Sequence, residues 1–185
     1  MGQEFDQLEI IADFINTHDK RMRYDGDSGV ELLRATEDLR MWLLKNGFIL
    51  EQDTVSEEDL ALARELRGGL RAAIPNNIHD HQEAGFQALN RVAGRFRFFY
   101  RFGETADTME PVDTQGRGGM ARLLILVFRL REKNMWGRLR VCTADDCRWV
   151  FVDRSRPGTG KWCSMKACGN RAKNKTYRER SKSMG

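Results

Sequence analysis

The sequence predicts an α+β fold, in which a predominantly helical N-terminal domain with a β-hairpin precedes a small module built around four cysteines. Apolar residues recur at helical spacing over much of residues 1–94, and an aromatic-rich stretch after them has high β propensity. All four cysteines lie between Cys142 and Cys168. The 185 residues suffice for one packed domain with an appended module. We place the boundary near Gly137, which gives units 1–137 and 138–185.

The helical segments are predicted from apolar periodicity and from capping residues. In the first helix, over 8–18, the residues Leu8, Ile11, Phe14 and Ile15 share one face. Capping and stop signals bound the others. We expect these helices to run from Thr36 as N-cap to Gly47, from a Ser56–Asp59 capping box to Ile74, and over 81–94 and 119–133.

The β-hairpin is predicted from the segment "FRFFYRF". Alternation places Phe96, Phe98 and Tyr100 on one face of a strand. The segment "TMEPV", from Thr108 to Val112, can return as the partner strand across the polar turn "GETAD". The hairpin therefore separates the fourth helix from the fifth.

Charge is distributed unevenly along the chain. The net charge is +4, but residues from Arg138 onward carry 13 Lys/Arg against 4 Asp/Glu, whereas residues 1–137 carry 18 against 23. Net charges of +9 and −5 favour a C-terminal module that meets a polyanion, or one whose tail is simply solvated. No apolar run approaches the ~20 residues of a membrane span, and the acidic N-terminus does not resemble a signal peptide. We expect a cytoplasmic protein without a membrane partner.

The cysteine spacing predicts one structural zinc ion. Cys142 and Cys147 form one pair, Cys163 and Cys168 form the other, and each pair has four intervening residues. Four thiolates close a tetrahedral shell, so the metal is expected to fold the module and to leave no open catalytic position. The alternatives are two disulfides or four unrelated thiols, and reduced cytosolic thiols clustered in one segment argue against both.

The segments around the cysteines predict a treble-clef finger, with a knuckle, a hairpin and a helix that carries the second cysteine pair. "RWVFVDRS" reads as a strand, and "RPGTGKW" as a turn that leads into a second strand. After Cys163, either Ser164 or Asn170 can cap a basic helix. We expect a small core from three aromatic residues, Trp149, Phe151 and Trp162.

The segment "CGNR", Cys168 to Arg171, preceded by "DRSRPGTGKWCSM", resembles the CGNR zinc finger. The segments "DFINT" and "LLRATEDLRMWL" resemble the opening motifs of the ABATE domain, the usual companion of that finger. The resemblance implies a stress-induced bacterial transcription regulator whose finger binds DNA and whose helical body senses a ligand. It also implies that the four cysteines are the zinc ligands. Ile15 stands where the family often has Val.

Basic residues of the module are the candidate DNA contacts. They include the helical stripe Arg171, Lys175 and Arg178, which could lie against phosphates, and Asn170 as a base reader near the helix start. Two alternatives remain: the cations neutralise a zinc tetrathiolate centre of charge −2, or they are solvated in a disordered tail. A single finger makes few base contacts, so we expect a homodimer. The full candidate set is Arg154, Arg156, Lys161, Asn170, Arg171, Lys173, Asn174, Lys175 and Arg178.

In the body, Asp13, Asn16 and Thr17 end an apolar helix and could line the pocket of an unidentified small-molecule effector. Alternatively, Asn16 or Thr17 caps the helix or holds the next loop. "HDH" at 79–81 and "GRGG" at 116–119 could bind a metal and an anion respectively, but solvated histidines and a flexible turn are favoured. No catalytic motif stands out, so we expect no enzyme. The leading hypothesis is a ligand-responsive regulator that binds DNA. The alternative is an adaptor or RNA-binding protein.

Overall fold

Five α-helices, three two-stranded antiparallel pairs and a short terminal helix over residues 165–175 form most of the described part of this computed structural model, which covers residues 2–22, 24–75 and 83–175. The predicted α+β fold is confirmed. The helices are α1 (Gly2–Asn16), α2 (Thr36–Lys45), α3 (Glu57–Ala72), α4 (Glu83–Ala93) and α5 (Gln115–Glu132). The strands are β1 (His18–Asp19), β2 (Val30–Glu31), β3 (Phe98–Arg101), β4 (Thr108–Pro111), β5 (Leu139–Val141) and β6 (Val150–Val152). No helix in these ranges is long and apolar enough to cross a membrane.

The core of the helical body (residues 2–137) forms where α1, α3 and α5 meet. The predicted apolar face of α1 is confirmed, because Leu8, Ile11, Phe14 and Ile15 are all fully buried. Helix α2 closes this core through Trp42, whose ring lies 4.9 Å from that of Phe14. Helix α4 packs along α3. The helical body therefore has a continuous apolar interior.

Helix starts differ from the predictions at two positions. Ala35, not Thr36, is the N-cap of α2, and the Asp38 carboxylate accepts hydrogen bonds from the amides of Arg34 (2.8 Å) and Ala35 (3.0 Å). Asp38, at the third position of α2, therefore binds back to the amides of the residues that lead into the helix. Helix α5 begins at Gln115, so the "GRGG" segment lies inside its first turns and the predicted flexible turn is wrong.

The capping box that opens α3 is confirmed. Ser56 Oγ accepts a hydrogen bond from the Asp59 amide at 3.1 Å, and the Asp59 carboxylate accepts from the Ser56 amide at 3.0 Å. Asp in place of Glu therefore completes the reciprocal pair.

The hairpin of the body is also confirmed. Strands β3 and β4 pair with Tyr100 opposite Met109. The short β1–β2 pair was not predicted, because two residues per strand carry no periodic signal. A Cβ on Gly29, which has a φ of 92°, would collide with the carbonyl oxygen of Asp19. The close approach of these two chain segments therefore requires glycine at this position.

The hairpin of the C-terminal module is β5 paired with β6. The strand predicted at "RWVFVDRS" is confirmed, but its partner precedes Cys142. The predicted second strand after Gly160 is wrong. Leu139 and Val150 are fully buried in the same apolar core as the helices, because β6 packs against α1. The proposed boundary near Gly137 remains a prediction.

Candidate zinc centre and basic surface

The four cysteines converge at one point of the C-terminal module, which we call the finger (residues 138–175 of the described chain). Cys142 and Cys147 bound a knuckle at the tip of the β5–β6 hairpin, Cys163 follows a loop, and Cys168 lies in the first turn of the terminal helix. Their sulfur atoms all lie within 4.8 Å of one another, and none of the four forms a disulfide.

The sulfur spacing fits one tetrahedral zinc ion. The Sγ atoms of Cys147 and Cys163 are 3.6 Å apart, and those of Cys163 and Cys168 are 3.7 Å apart. Zinc–thiolate bonds of about 2.3 Å in a regular tetrahedron place neighbouring sulfurs ~3.8 Å apart. The predicted zinc site of four cysteines is therefore confirmed, and it leaves no ligand position for a substrate.

Burial makes two of these thiols hard to ionise without a metal. It raises the pKa of Cys147 to about 11 and also raises the pKa of Cys163. Zinc binds thiolates, so binding must release protons and must weaken as the pH falls. Arg171 supports the charged form of the site, because its Nη2 lies 3.3 Å from Cys168 Sγ and 3.3 Å from Asp146 Oδ1.

Three aromatic residues, Trp149, Phe151 and Trp162, pack around the thiols, as predicted. The helix that follows Cys163 is capped by Ser164, whose Oγ accepts a hydrogen bond from the Ala167 amide at 3.3 Å. Asn170 lies within the helix and donates to the carbonyl oxygen of Lys166, so it is not the cap.

Asp153, which the sequence analysis did not select, organises the basic loop (residues 154–161). It is 4% exposed, and its carboxylate accepts hydrogen bonds from the amides of Ser155 (2.9 Å) and Gly160 (2.6 Å). A Cβ on Gly160 would lie only 2.9–3.1 Å from that carboxylate. The sequence signal that could have indicated this role is an Asp placed two residues before a Ser, at the start of a turn that contains Pro and Gly.

The finger is held against the body by polar contacts, and the contact at Asn16 is buried. The Asn16 side-chain amide donates to the Val150 carbonyl oxygen at 2.7 Å, and its oxygen accepts from the Val150 amide at 3.0 Å. Arg71 Nη1 donates to the Arg148 carbonyl oxygen at 2.8 Å. The Arg21 guanidinium lies 4.3 Å from the centre of the Trp149 ring. The finger therefore has a defined position on α1 and α3.

The predicted effector residues all have partners within the protein. Asp13 Oδ2 accepts a hydrogen bond from Trp42 Nε1 at 2.7 Å, and Asn16 binds β6. The Thr17 hydroxyl donates to the Phe14 carbonyl oxygen and accepts from Arg67 Nη1 at 3.1 Å. Asp13 and Asn16 line a cavity of about 400 Å³ between α1 and β6, whereas Thr17 does not. Effector binding by these three residues remains a prediction.

A larger cavity, of about 680 Å³, lies between α4, the β3–β4 hairpin and α5. Apolar side chains dominate its lining, among them Phe86, Phe98 and Ile125. Arg131 is at its edge and lies 4.4 Å from the centre of the Phe86 ring. The "FRFFYRF" strand thus contributes to a cavity that is separate from the one beside Asn16.

The predicted DNA contacts fall into three groups. Arg154, Arg171 and Lys175 form ion pairs: Arg154 with Asp6 and Glu9 at 3.3 and 3.5 Å, Arg171 with Asp146 at 3.3 Å, and Lys175 with Asp145 at 2.9 Å. A second group is exposed on the loop or the helix, namely Arg156, Lys161, Asn170, Lys173 and Asn174. Arg178 lies outside the described residues, as does the "HDH" segment. DNA contact by these residues remains a prediction.

The fold and the site define a class of protein, a helical body that carries a zinc finger with four cysteine ligands. Residues 138–181 match the family model of the CGNR zinc finger. Residues 8–130 match the ABATE family model, described as "Putative stress-induced transcription regulator". The chain therefore belongs to the ABATE family and carries a CGNR zinc finger, as the sequence motifs suggested. No curated protein sequence gives a match to this chain.

Proposed function

We propose that this protein is a transcription regulator that binds DNA through the basic loop and the terminal helix of its zinc finger. The strongest support is that the cations lie on two segments, the basic loop and the start of the terminal helix, whose conformations are fixed by contacts within the finger. The zinc ligands fix the start of the helix, and Asp153 fixes the loop. Arg156, Lys161 and Lys173 are exposed and make no ion pair with any residue that the structure describes.

The paired cations are compatible with the same role. The pairs of Arg154, Arg171 and Lys175 are largely exposed to solvent. Exposed ion pairs contribute only about 0–1 kcal/mol each, so a DNA phosphate can replace the carboxylate at little cost. We therefore expect Arg156 and Lys161 to bind DNA phosphates directly, because no carboxylate competes for them. Arg171 and Lys175 should bind phosphates after they release their carboxylate partners.

Salt titration of duplex binding tests this proposal. The affinity of the wild-type protein should fall steeply with salt, and each of R156Q and K161Q should reduce the slope of log K against log[salt] by about 0.9. K45Q, which removes an exposed cation from α2 of the body, is the matched control and should leave the slope unchanged. Absence of duplex affinity at low salt would contradict the proposal. Preferential competition by RNA would favour the RNA-binding alternative.

We further propose that the body binds its effector in the apolar cavity beside the β3–β4 hairpin. Its volume of about 680 Å³ lies within the usual range for small-molecule sites, and Arg131 at the edge suits an anionic group. Anilinonaphthalene sulfonate, an apolar anion, is a suitable fluorescent probe. A93W should occupy the cavity and abolish the fluorescence increase, whereas the exposed substitution A61W in α3 should not. Equal fluorescence from both variants would exclude this cavity.

A further inference from the structure

A third cavity, which we call the cleft, lies between the body and the finger and has a volume of about 510 Å³. The body contributes Lys20, which follows β1, and Arg71, at the end of α3. The finger contributes Arg148 and residues 141–145 of β5 and the knuckle. Neither the zinc site nor the proposed DNA contacts explain why three cationic side chains line one cleft.

The cations of the cleft lack carboxylate partners within it. Among the described residues, Lys20 and the Arg148 side chain form no ion pair. Arg71 donates to the carbonyl oxygens of Ile15 (2.9 Å), His18 (3.0 Å) and Arg148 (2.8 Å), which fixes its position but does not neutralise its charge. The carboxylate that lines the cleft, Asp145, accepts a hydrogen bond from Lys175 Nζ at 2.9 Å.

Burial and neighbouring positive charges act in the same direction on two cations of the cleft, Lys20 and Arg71. Burial lowers the pKa of Lys20, and the charges of Arg71, Arg148 and Arg67 lower it further. Burial, followed by the charge of Arg67, lowers the pKa of Arg71 to about 10, and the charge of Asp19 only partly opposes this shift. Because like charges in a partly buried cleft repel one another, an anion placed among them would be strongly favoured.

The zinc centre has other cations close to its sulfur atoms. Arg171 Nη2 lies 3.3 Å from Cys168 Sγ. Arg21, which packs on Trp149, lines the cavity between α1 and β6 together with Cys163. Cations outside the cleft therefore lie near the zinc ligands as well, and each of them also pairs with a carboxylate.

We propose that the cleft binds a phosphoryl group. A tetrahedral oxyanion can accept hydrogen bonds from the Lys20 ammonium and the Arg148 guanidinium at once, and such charge-assisted bonds are the strong class for phosphate. Arg71 supplies a fixed positive charge behind them. Because Lys20 belongs to the body and Arg148 to the finger, the bound group would join the two units. The residues of this site are separate from the candidate DNA contacts and from the lining of the proposed effector cavity.

Inorganic phosphate, titrated against chloride at constant ionic strength, tests the proposal in the zinc-loaded protein. Phosphate should bind saturably in calorimetry and should raise the thermal unfolding midpoint of the wild-type protein. K20Q and R148Q should each weaken phosphate binding about tenfold, which corresponds to ~1.4 kcal/mol. K45Q, which removes a cation from the exposed surface of α2, should bind phosphate as the wild type does.

The source of the phosphoryl group is distinguished by a duplex-binding arm with the same variants. If the group belongs to the DNA backbone, K20Q and R148Q should lower duplex affinity and reduce the salt slope by about 0.9 each. If it belongs to a small molecule, they should leave duplex affinity unchanged while phosphate binding is lost. The proposal is wrong if the wild-type protein binds no phosphate and the variants leave duplex affinity unchanged. It is also wrong if both variants lose zinc and the fraction of each that retains zinc binds phosphate with the wild-type affinity.

Discussion

The helical body and the zinc finger are stabilised by different means. The body buries many large apolar side chains, among them Leu8, Phe14, Leu43 and Leu66, which are completely inaccessible to solvent. In the finger, the cluster around the metal site buries three cysteines, and its aromatic residues are only partly covered. We therefore expect apolar burial to supply most of the stability of the body, and the metal to supply most of the stability of the finger.

The strand pair β5–β6 contributes both to the apolar core of the body and to the metal site of the finger. Leu139 and Val150 complete the core of the body, and the same two strands carry the knuckle with Cys142 and Cys147. Disturbing the finger should therefore loosen one face of α1, and disturbing that face should displace the finger. The predictions below address this coupling, beginning with the largest effect.

Zinc removal should separate the two units. Structural zinc contributes on the order of 10 kcal/mol to small zinc modules, so chelation or C163S should unfold the finger. The far-ultraviolet circular dichroism of the helices should largely remain, while the near-ultraviolet signal of Trp149 and Trp162 should be lost. Readdition of zinc to the chelated wild type is the control. An unchanged tryptophan signal in metal-free protein would show that the finger does not depend on zinc.

Removal of Arg67 should destabilise the body without displacing zinc. The Arg67 side chain is 6% exposed. Its two Nη atoms bind the Glu31 carboxylate, and Nη1 also donates to the Thr17 hydroxyl. Breaking a fully buried ion pair at one partner costs about 3–5 kcal/mol, and because the Glu31 side chain remains 32% exposed we expect a loss of about 2–3 kcal/mol here. R67M should lower the urea midpoint accordingly, and R67M/E31L should recover most of the loss. R91M, at an exposed position in α4, is the matched control.

Substitution of Asn16 tests the joint between the units. N16A leaves the Val150 amide and carbonyl without their partner in a buried position. Because each unsatisfied group costs about 1–3 kcal/mol, we expect a loss of ~2–4 kcal/mol in the free energy of unfolding. Hydrogen exchange of β6 should accelerate more than that of α5. N174A, on the exposed terminal helix, should change neither quantity. Uniform acceleration would mean that Asn16 supports the whole body and not this joint.

These contacts also show what the sequence could and could not reveal. The cysteine spacing, the apolar face of α1 and the Ser56–Asp59 box are local patterns, and each was predicted correctly. The Asn16–Val150 contact joins residues 134 positions apart, and no local periodicity encodes it. The partner of β6 was misplaced for a related reason: the turn residues after Pro157 resemble a hairpin, but the Asp153 carboxylate shapes them into a loop. Such contacts depend on tertiary packing.

Substitution of Asp153 should have the smallest effect on the free energy of unfolding. This effect should depend on pH, because it comes from one carboxylate of the finger. Burial disfavours its ionised form, but the hydrogen bonds from Ser155 and Gly160 outweigh burial and hold the pKa of Asp153 below its usual value. A depressed pKa stabilises the folded state above the unfolded pKa of about 4, and this contribution is lost as the pH falls through the folded pKa. D153N should therefore cost about 1–3 kcal/mol at neutral pH, and its difference from the wild type should shrink below about pH 4.

The urea midpoints of both proteins across this range measure the difference, with exposed D25N as the control. A difference that stayed constant down to pH 2 would show that the cost of D153N does not depend on the charge of Asp153, and that this charge has no part in fixing the basic loop.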